Sequence, residues 1–230
     1  MTAPASVVVP VWGPPELTDR CLRALCEHSP EVEIIAVDNT GHYVLPDECQ
    51  RVILLHQPTN IGCAPAKALG AAAATAPIVI TLDCDAYPHA GWLDPLLAVF
   101  DDPSVGMAGP RILSEDGSIQ TACIRTWHGS GSAGGENRSD EHASNSDEDG
   151  ATGACMAIRR VALDQCPFDA ETFRSTYDDV DLSLQFREAG WRVAYVSEST
   201  VTHRLGSTGP ERWDNVQGIV ANMNIKWGNR

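Results

Sequence analysis

The sequence predicts an α/β domain with a mostly parallel central sheet flanked by helices and a small antiparallel hairpin in its second half. Three observations carry this. Short β-branched runs alternate with stretches of helical periodicity over the first hundred residues. These runs are apolar at every position rather than at alternate ones, as in strands covered on both faces. The runs ending at Val37 and Leu82 are each followed directly by acid (Asp38; Asp83 and Asp85), and such sheets bind ligands beyond the carboxyl ends of their strands.

Each element has its own signal. Ser6–Val11 is a buried strand, and Pro14-Pro15 opens a helix whose apolar face is Leu17, Cys21, Leu22 and Leu25. Val32–Val37 and Arg51–Leu55 are the second and third strands. Asn60-Ile61-Gly62 leads into an Ala-rich helix from Pro65 to Thr75, whose small side chains let it lie close to a sheet. Ile78–Leu82 is the fourth strand, followed by a helix whose face is Trp92, Leu93, Leu96, Leu97 and Phe100. In the second half, Ile112–Leu113 and Ser118–Ala122 flank an Asp116-Gly117 turn and read as a hairpin. Ala154–Ile158 is a strand, Val161–Cys166 a short helix, and Val180–Ala189 a helix closed by Gly190. Arg192–Val196 is a strand and Trp213–Trp227 a terminal helix. Between Gly129 and Gly150 the composition turns to Gly, Ser, Asn and acid, with six acids in Glu136–Asp149 (136, 140, 141, 147, 148 and 149). That stretch is expected to be mobile without a ligand, either as a lid or as a solvated insertion.

Composition narrows the function classes. With 230 residues, 43% of them hydrophobic, the chain can bury a full core, and we expect one domain over 1–230 with halves at 1–110 and 111–230. Sixteen Lys and Arg against thirty-one Asp and Glu leave a net charge of −15. That argues against a nucleic-acid partner, which would require basic residues to displace phosphate counterions. No apolar run reaches the roughly 18–20 residues of a membrane span, and MTAPASVVVPVWG lacks the basic start of a signal peptide. A cytoplasmic protein without a transmembrane segment is therefore expected. Eight cysteines without a CxxC pair read as reduced core residues.

Two acidic groups stand out. Asp83-x-Asp85 places two carboxylates at a strand end, suited to Mg(II) or Mn(II), which bind through one or two carboxylates plus substrate phosphates. Asp178-Asp179-Val180-Asp181 opens a helix, where acids cap free N–H groups and where a general base could be held rigidly. His203 follows a strand.

Taken in order, these segments resemble glycosyltransferase family 2 enzymes of the GT-A fold, rhamnosyltransferase-like branch, along nearly the whole chain. The resemblance is carried by Val8-Val9-Pro10-Val11-Trp12, Ile35-Ala36-Val37-Asp38-Asn39, Asn60-Ile61-Gly62-Cys63-Ala64, Leu82-Asp83-Cys84-Asp85-Ala86 with Gly91-Trp92-Leu93, and Gly153 to Arg160. Tyr177 to Leu184, Ala189 to Val193 and His203 complete it. The chain departs from the pattern in two places: Asp178-Asp179 where the family often has Glu-Asp, and Lys67 where many relatives carry Asn.

The resemblance implies an inverting, metal-dependent transfer of a hexosyl or deoxyhexosyl group from a UDP-, GDP- or dTDP-linked sugar to a glycan, protein or lipid-linked acceptor. The donor-binding half would be 1–110 and the acceptor and catalytic half 111–230. It implies that Pro10, Val11, Asp38, Asn60 and Gly62 hold the donor nucleotide, with Asp38 accepting from the base and Asp83 on the ribose side. Asp85 and His203 would bind Mn(II) or Mg(II). Asp179 would be the base and Asp178 its substitute. Gly153, Ala154 and Trp191 would lie on the acceptor side together with Asp181, which also reads as a helix cap or a partner of Arg187. Val216, Ile219, Val220, Met223 and Trp227 could form a homodimer interface or a core face. A nucleotidyltransferase, or a non-catalytic nucleotide-sugar-binding protein, is the alternative. The first lacks its basic Gly-rich loop at Val11-Trp12-Gly13-Pro14-Pro15, and the retained acids argue against the second.

Overall fold

A computed structural model describes residues 3–139, 146–147, 150–206 and 215–230. The first half runs β1 (Ala5–Val11), α1 (Pro15–His28), β2 (Glu33–Asp38), β3 (Ile53–His56), α2 (Cys63–Ala73), β4 (Ile78–Leu82), β5 (Ala86–Pro88) and α3 (Leu93–Ala98). The second half runs β6 (Val105–Leu113), β7 (Ile119–Thr121), β8 (Cys123–Gly129), β9 (Ser132–Arg138), β10 (Ser146–Asp147), β11 (Cys155–Arg159), α4 (Arg160–Gln165), α5 (Asp178–Glu188), β12 (Arg192–His203) and α6 (Val216–Trp227).

The main sheet has the order β10-β12-β6-β11-β4-β1-β2-β3, with β5 on β12 and β7 on β6. β1 to β4 run parallel, as do β6 and β12. β11 lies antiparallel between β4 and β6, so the strands on either side of it point the same way. Their carboxyl ends gather at one edge, where the site lies.

Strand geometry sends alternate side chains to opposite faces, and β1 divides accordingly. Ala5, Val7, Val9 and Val11 join α1 (Cys21, Leu22, Leu25) and α3 (Leu93, Leu96) in one core. Val8 faces the other way, into a core with α2 (Ala66, Ala71) and α5 (Leu182, Phe186). Each such Val or Leu contributes about 1.5–3 kcal/mol by leaving water. All eight cysteines are free, six of them buried, as a reduced core requires.

The Asp116-Gly117 turn joins β6 to β7 as expected. Three expectations change. β6 and β12 are much longer than Ile112–Leu113 and Arg192–Val196 suggested, because β6 is rich in residues of low strand propensity. Its Gly106 and Gly109 are required by close packing: a Cβ there would lie 2.7 Å from Trp191 and 3.0 Å from Ala151. The 129–150 stretch is in part a hairpin, since β9 pairs along its full length with β8; Asp140, Glu141, Glu148 and Asp149 lie outside the described residues. The apolar face of α6 turns inward: Ile219, Met223 and Trp227 pack with Ile124, Ala133, Phe173, Val180 and Leu184. These three residues of the face are core, while Val216 and Val220 are half-buried. Trp213 lies outside the described residues. No helix among the described residues is long and apolar enough to cross a membrane.

The Ala-rich α2 lies hard against β1. A Cβ on Gly70 would sit 2.2 Å from Val8 Cγ1, so Gly70→Ala should destabilise the fold by about 1–3 kcal/mol through overpacking. Urea denaturation measures this, and Val8→Ala in the same chain should recover part of the loss.

Candidate active site

The acids converge because of strand pairing. β4 ends at Leu82, beside Cys155, and the Asp83 N–H donates to the Ala154 carbonyl at 3.0 Å. The chain turns at Asp83–Ala86 into β5, whose Ala86 pairs with His203. Asp85 thus stands beside the end of β12. At α5, Tyr177 adopts a left-handed conformation (φ 65°) immediately before Asp178 opens the helix.

Asp83, Asp85 and His203 offer ligand atoms that all lie within 4.8 Å of one another. His203 Nε2 is 3.3 Å from Asp85 Oδ1 and 4.0 Å from Asp83 Oδ2. The other ring nitrogen is fixed. Gln120 uses its Nε2 to donate to the His203 carbonyl (3.1 Å), which leaves Gln120 Oε1 to accept from His203 Nδ1 (2.7 Å). Such an outer partner orients a ligating histidine and sets its tautomer. Asp85 Oδ2 is buried without a hydrogen-bond partner, a costly state for a carboxylate oxygen unless a cation meets it. The donor set fits a hard divalent ion.

The second group is built around a lysine. Lys67, 1% exposed, points its ammonium at Asp178 Oδ2 (3.0 Å), the Gly153 carbonyl (3.3 Å) and Asp83 Oδ1 (3.7 Å). Gly153 in turn donates its N–H to Asp179 Oδ2 at 2.8 Å. One buried cation therefore ties the Asp83 end of the sheet to the start of α5. Asp178 is buried and committed to Lys67. Asp179 is only half-buried; burial first, then the Asp178 charge, push its carboxyl up to about 6 against the opposing pull of Gly153 and Lys67. A carboxylate of that character, held at a helix start, is suited to accept a proton near neutral pH.

A cleft of about 250 Å³ opens beside these acids, lined by Pro10, Trp12, Asn39, Asn60, Gly62, Cys63, Asp83, Cys84, Arg174 and Ser175. Pro10, Asn60, Gly62 and Asp83 are among its walls, Asp83 being shared with the metal-type cluster. Val11 and Asp38 do not line it. Val11 is core. Asp38 is fully buried and its oxygens are occupied: Thr40 N–H (2.7 Å), Thr40 Oγ1 (2.6 Å) and Gly41 N–H (3.2 Å) donate to Oδ1. Tyr43 N–H (3.1 Å) and His56 Nδ1 (2.8 Å) donate to Oδ2. Burial raises its carboxyl, but the Thr40 and His56 bonds outweigh that and hold it below the usual range. Asp38 pins the turn after β2. The neighbour Asn39 faces the cleft and donates from Nδ2 to the Gly62 carbonyl (3.2 Å).

The expected acceptor side does not assemble. Gly153 and Ala154 are buried in the strap between the two acid groups. Trp191 lies just before the far end of β12, twelve positions before His203, packing on Gly106 and bonding Gln165. Asp181 neither caps α5 nor reaches the cleft: at 1% exposure it accepts from Trp227 Nε1 (2.7 Å), Lys226 Nζ (2.8 Å) and Gln185 Nε2 (2.7 Å), fastening α6 to α5. Lys67, Gln120, Asn39, Trp12 and Arg174 belong to the site and were not identified as such from sequence. Trp12 and Asn39 stood within the segments that carry the resemblance, and Lys67 carried a signal as the one charge in an otherwise small and apolar helix.

Residues 6–166 match the family described as Glycosyl transferase family 2. Two curated relatives, the Pre-mycofactocin glycosyltransferases of Mycobacterium tuberculosis strains CDC 1551 and H37Rv, are each 36% identical over 152 residues, covering 65% of this chain and 32% of the relative. The chain thus spans about a third of their length. Among solved structures, GalNAc-T7 with UDP, GalNAc and Mn2+ superposes with TM-score 0.68 at 17% identity over 90% of this chain and 45% of that one. The mannosyltransferase PcManGT from Pyrobaculum calidifontis, in complex with GDP-Man and Mn2+, gives 0.64 at 17% identity over 98% and 64%. TarS of S. aureus gives 0.60 at 16% over 96% and 39%. These likenesses show the fold, which is the expected GT-A arrangement.

Removing the buried cation tests the link between the acid groups. Lys67→Met should cost about 3–5 kcal/mol, because it strands Asp178 without its partner. Adding Asp178→Asn should recover part of this in a urea-unfolding double-mutant cycle, and a loss below about 1 kcal/mol for the single variant would contradict the assignment.

Proposed function

Given that the chain belongs to glycosyl transferase family 2, we propose that it moves a sugar from a nucleotide-diphospho-sugar to an acceptor hydroxyl by a single inverting displacement. The observation that carries this is the convergence of two carboxylate groups, nearly a hundred positions apart in the chain, on Lys67 Nζ beside the cleft. The donor lies in the cleft between Pro10, Trp12, Asn39 and the Asn60–Gly62 turn. The nucleotide sugars bound by the two structurally similar enzymes, UDP with GalNAc and GDP-Man, support that donor class; UDP-, GDP- and dTDP-linked sugars are the candidates.

Asp179 is the base. As the acceptor oxygen bonds to the anomeric carbon, its proton passes to Asp179, and the electron pair of the breaking glycosidic bond leaves with the nucleoside diphosphate. Asp178 is unsuited to the task because Lys67 already holds it; its charge raises the proton affinity of Asp179. Gly153, through its N–H, fixes which Asp179 oxygen stays inward. Asp83, Asp85 and His203 would hold a divalent ion, Mn(II) or Mg(II). Such an ion, when bound, neutralises the charge that gathers on the departing diphosphate. Attack from the Asp179 side with departure toward the Asp83 side inverts the anomeric centre.

Asp179→Asn should lower turnover by about 10²–10⁴-fold, the range general-base catalysis supplies, while donor binding by calorimetry stays near wild type. Wild-type turnover in this variant would remove Asp179 from the role. The carboxylate is the working form, so kcat should fall as pH drops through about 6, and Asp179→Asn should erase that limb. Chelation with EDTA, or Asp85→Ala, should abolish the rise in melting temperature that a nucleoside diphosphate confers with Mn(II). Proton NMR of the product reports the anomeric configuration, and a retained configuration would exclude the single displacement.

A further inference from the structure

We propose that Arg174 is the residue that grips the donor diphosphate, and that the Asn60-Ile61-Gly62 turn exists to hold it there. This rests on the reading of the cleft as a nucleotide-sugar site and adds to it the chain's own cation for that ligand.

Charge makes the demand. Asp83, Asp85, Asp178 and Asp179 crowd one end of the cleft, and Lys67, the cation buried among them, is engaged with Asp178, Asp83 and the Gly153 carbonyl. A diphosphate brings further negative charge to the same place. Arg174 is the basic residue lining the cleft. It is exposed, so it keeps its charge and can meet a ligand from solvent. A guanidinium presents five N–H donors in a planar fork that matches phosphate oxygens in pairs. One of these, on Nη2, donates to the Asn60 carbonyl at 2.8 Å, which aims the group without using up the fork.

The turn is shaped around this side chain. Gly62 has φ 101°, and a Cβ on it would lie 2.4 Å from Arg174 Cγ and 2.8 Å from the Arg174 carbonyl. The arginine stem therefore lies directly across the glycine, in space any other residue would fill. The Ala64 N–H donates to the Arg174 carbonyl at 3.1 Å, Asn60 Oδ1 accepts from the Gly62 N–H at 2.8 Å, and Asn39 Nδ2 donates to the Gly62 carbonyl. Arg174 and the turn are thus one unit, placed by bonds from both sides, and Asn39 connects it to the end of β2.

The test compares nucleoside diphosphates with monophosphates. Calorimetry in Mn(II) buffer measures UDP and UMP, GDP and GMP, and dTDP and dTMP against wild type, Arg174→Gln and Arg174→Lys. For the nucleotide the wild type selects, Arg174→Gln should weaken the diphosphate by about 10- to 100-fold, as expected for losing a charge-assisted pair. The monophosphate should weaken much less, so that the preference for diphosphate collapses. Arg174→Lys, a point charge without the fork, should restore part of it. Equal weakening of both ligands would assign Arg174 to the base or ribose and overturn the proposal, as would unchanged diphosphate affinity. Melting curves without ligand show that each exposed-site variant is folded. If the wild type bound none of the three diphosphates, the proposed function and this inference would fall together; a wild type that binds, with an unaffected Arg174→Gln, overturns this inference alone.

Discussion

The ammonium of Lys67 is the interaction on which the site depends. A buried lysine is costly to desolvate and is tolerated only where opposite charge and carbonyl oxygen surround it. Here Asp178, Asp83 and the Gly153 carbonyl do so. The arrangement forces four chain segments, α2, the end of β4, the strap before β11 and the first turn of α5, to approach one point. It also explains the composition of α2: the helix must come close enough for a lysine to reach across the sheet edge, and only Ala and Gly, with Gly70 on Val8, permit that approach.

Around this point the same residue type serves three purposes, and the surroundings decide which. Asp38 and Asp181 are saturated with donors and act as structural posts, one holding the turn after β2, the other fastening α6 to α5. Asp85 keeps a buried oxygen unmet beside His203 and is suited to a cation. Asp179 is half-buried next to a like charge, which raises its proton affinity. Neutralising Asp38 or Asp181 would loosen elements; neutralising Asp179 would remove a proton acceptor.

The hairpin β8–β9 and α6 form a third small core with α5, through Ile124, Ala133, Val180, Leu184, Met223 and Trp227. It braces the helix that carries Asp178 and Asp179 on the side away from the sheet. A base works only if its position is fixed, and this packing would serve the proposed chemistry by keeping α5 from shifting.

The strand–helix alternation, the buried runs and the two acidic groups were legible in the sequence because local patterning encodes them: β-branched runs, proline at a helix start, acids at strand ends. Strands β6 and β12 were only partly legible, since Gly106 and Gly109 obey contacts with Trp191 and Ala151 rather than strand propensity. The roles of individual acids were not legible at all. Asp38, Asp83, Asp179 and Asp181 look alike in one dimension. What separates them is which donors and charges the folded chain brings within a few ångströms, and those partners (His56, Lys67, Gly153, Trp227) lie from 16 to 46 positions away along the chain. Sequence alone determined the layers and the family; the division of labour among the carboxylates was decided by tertiary contact, because proton affinity and ligand capacity belong to a surrounding and not to a residue type.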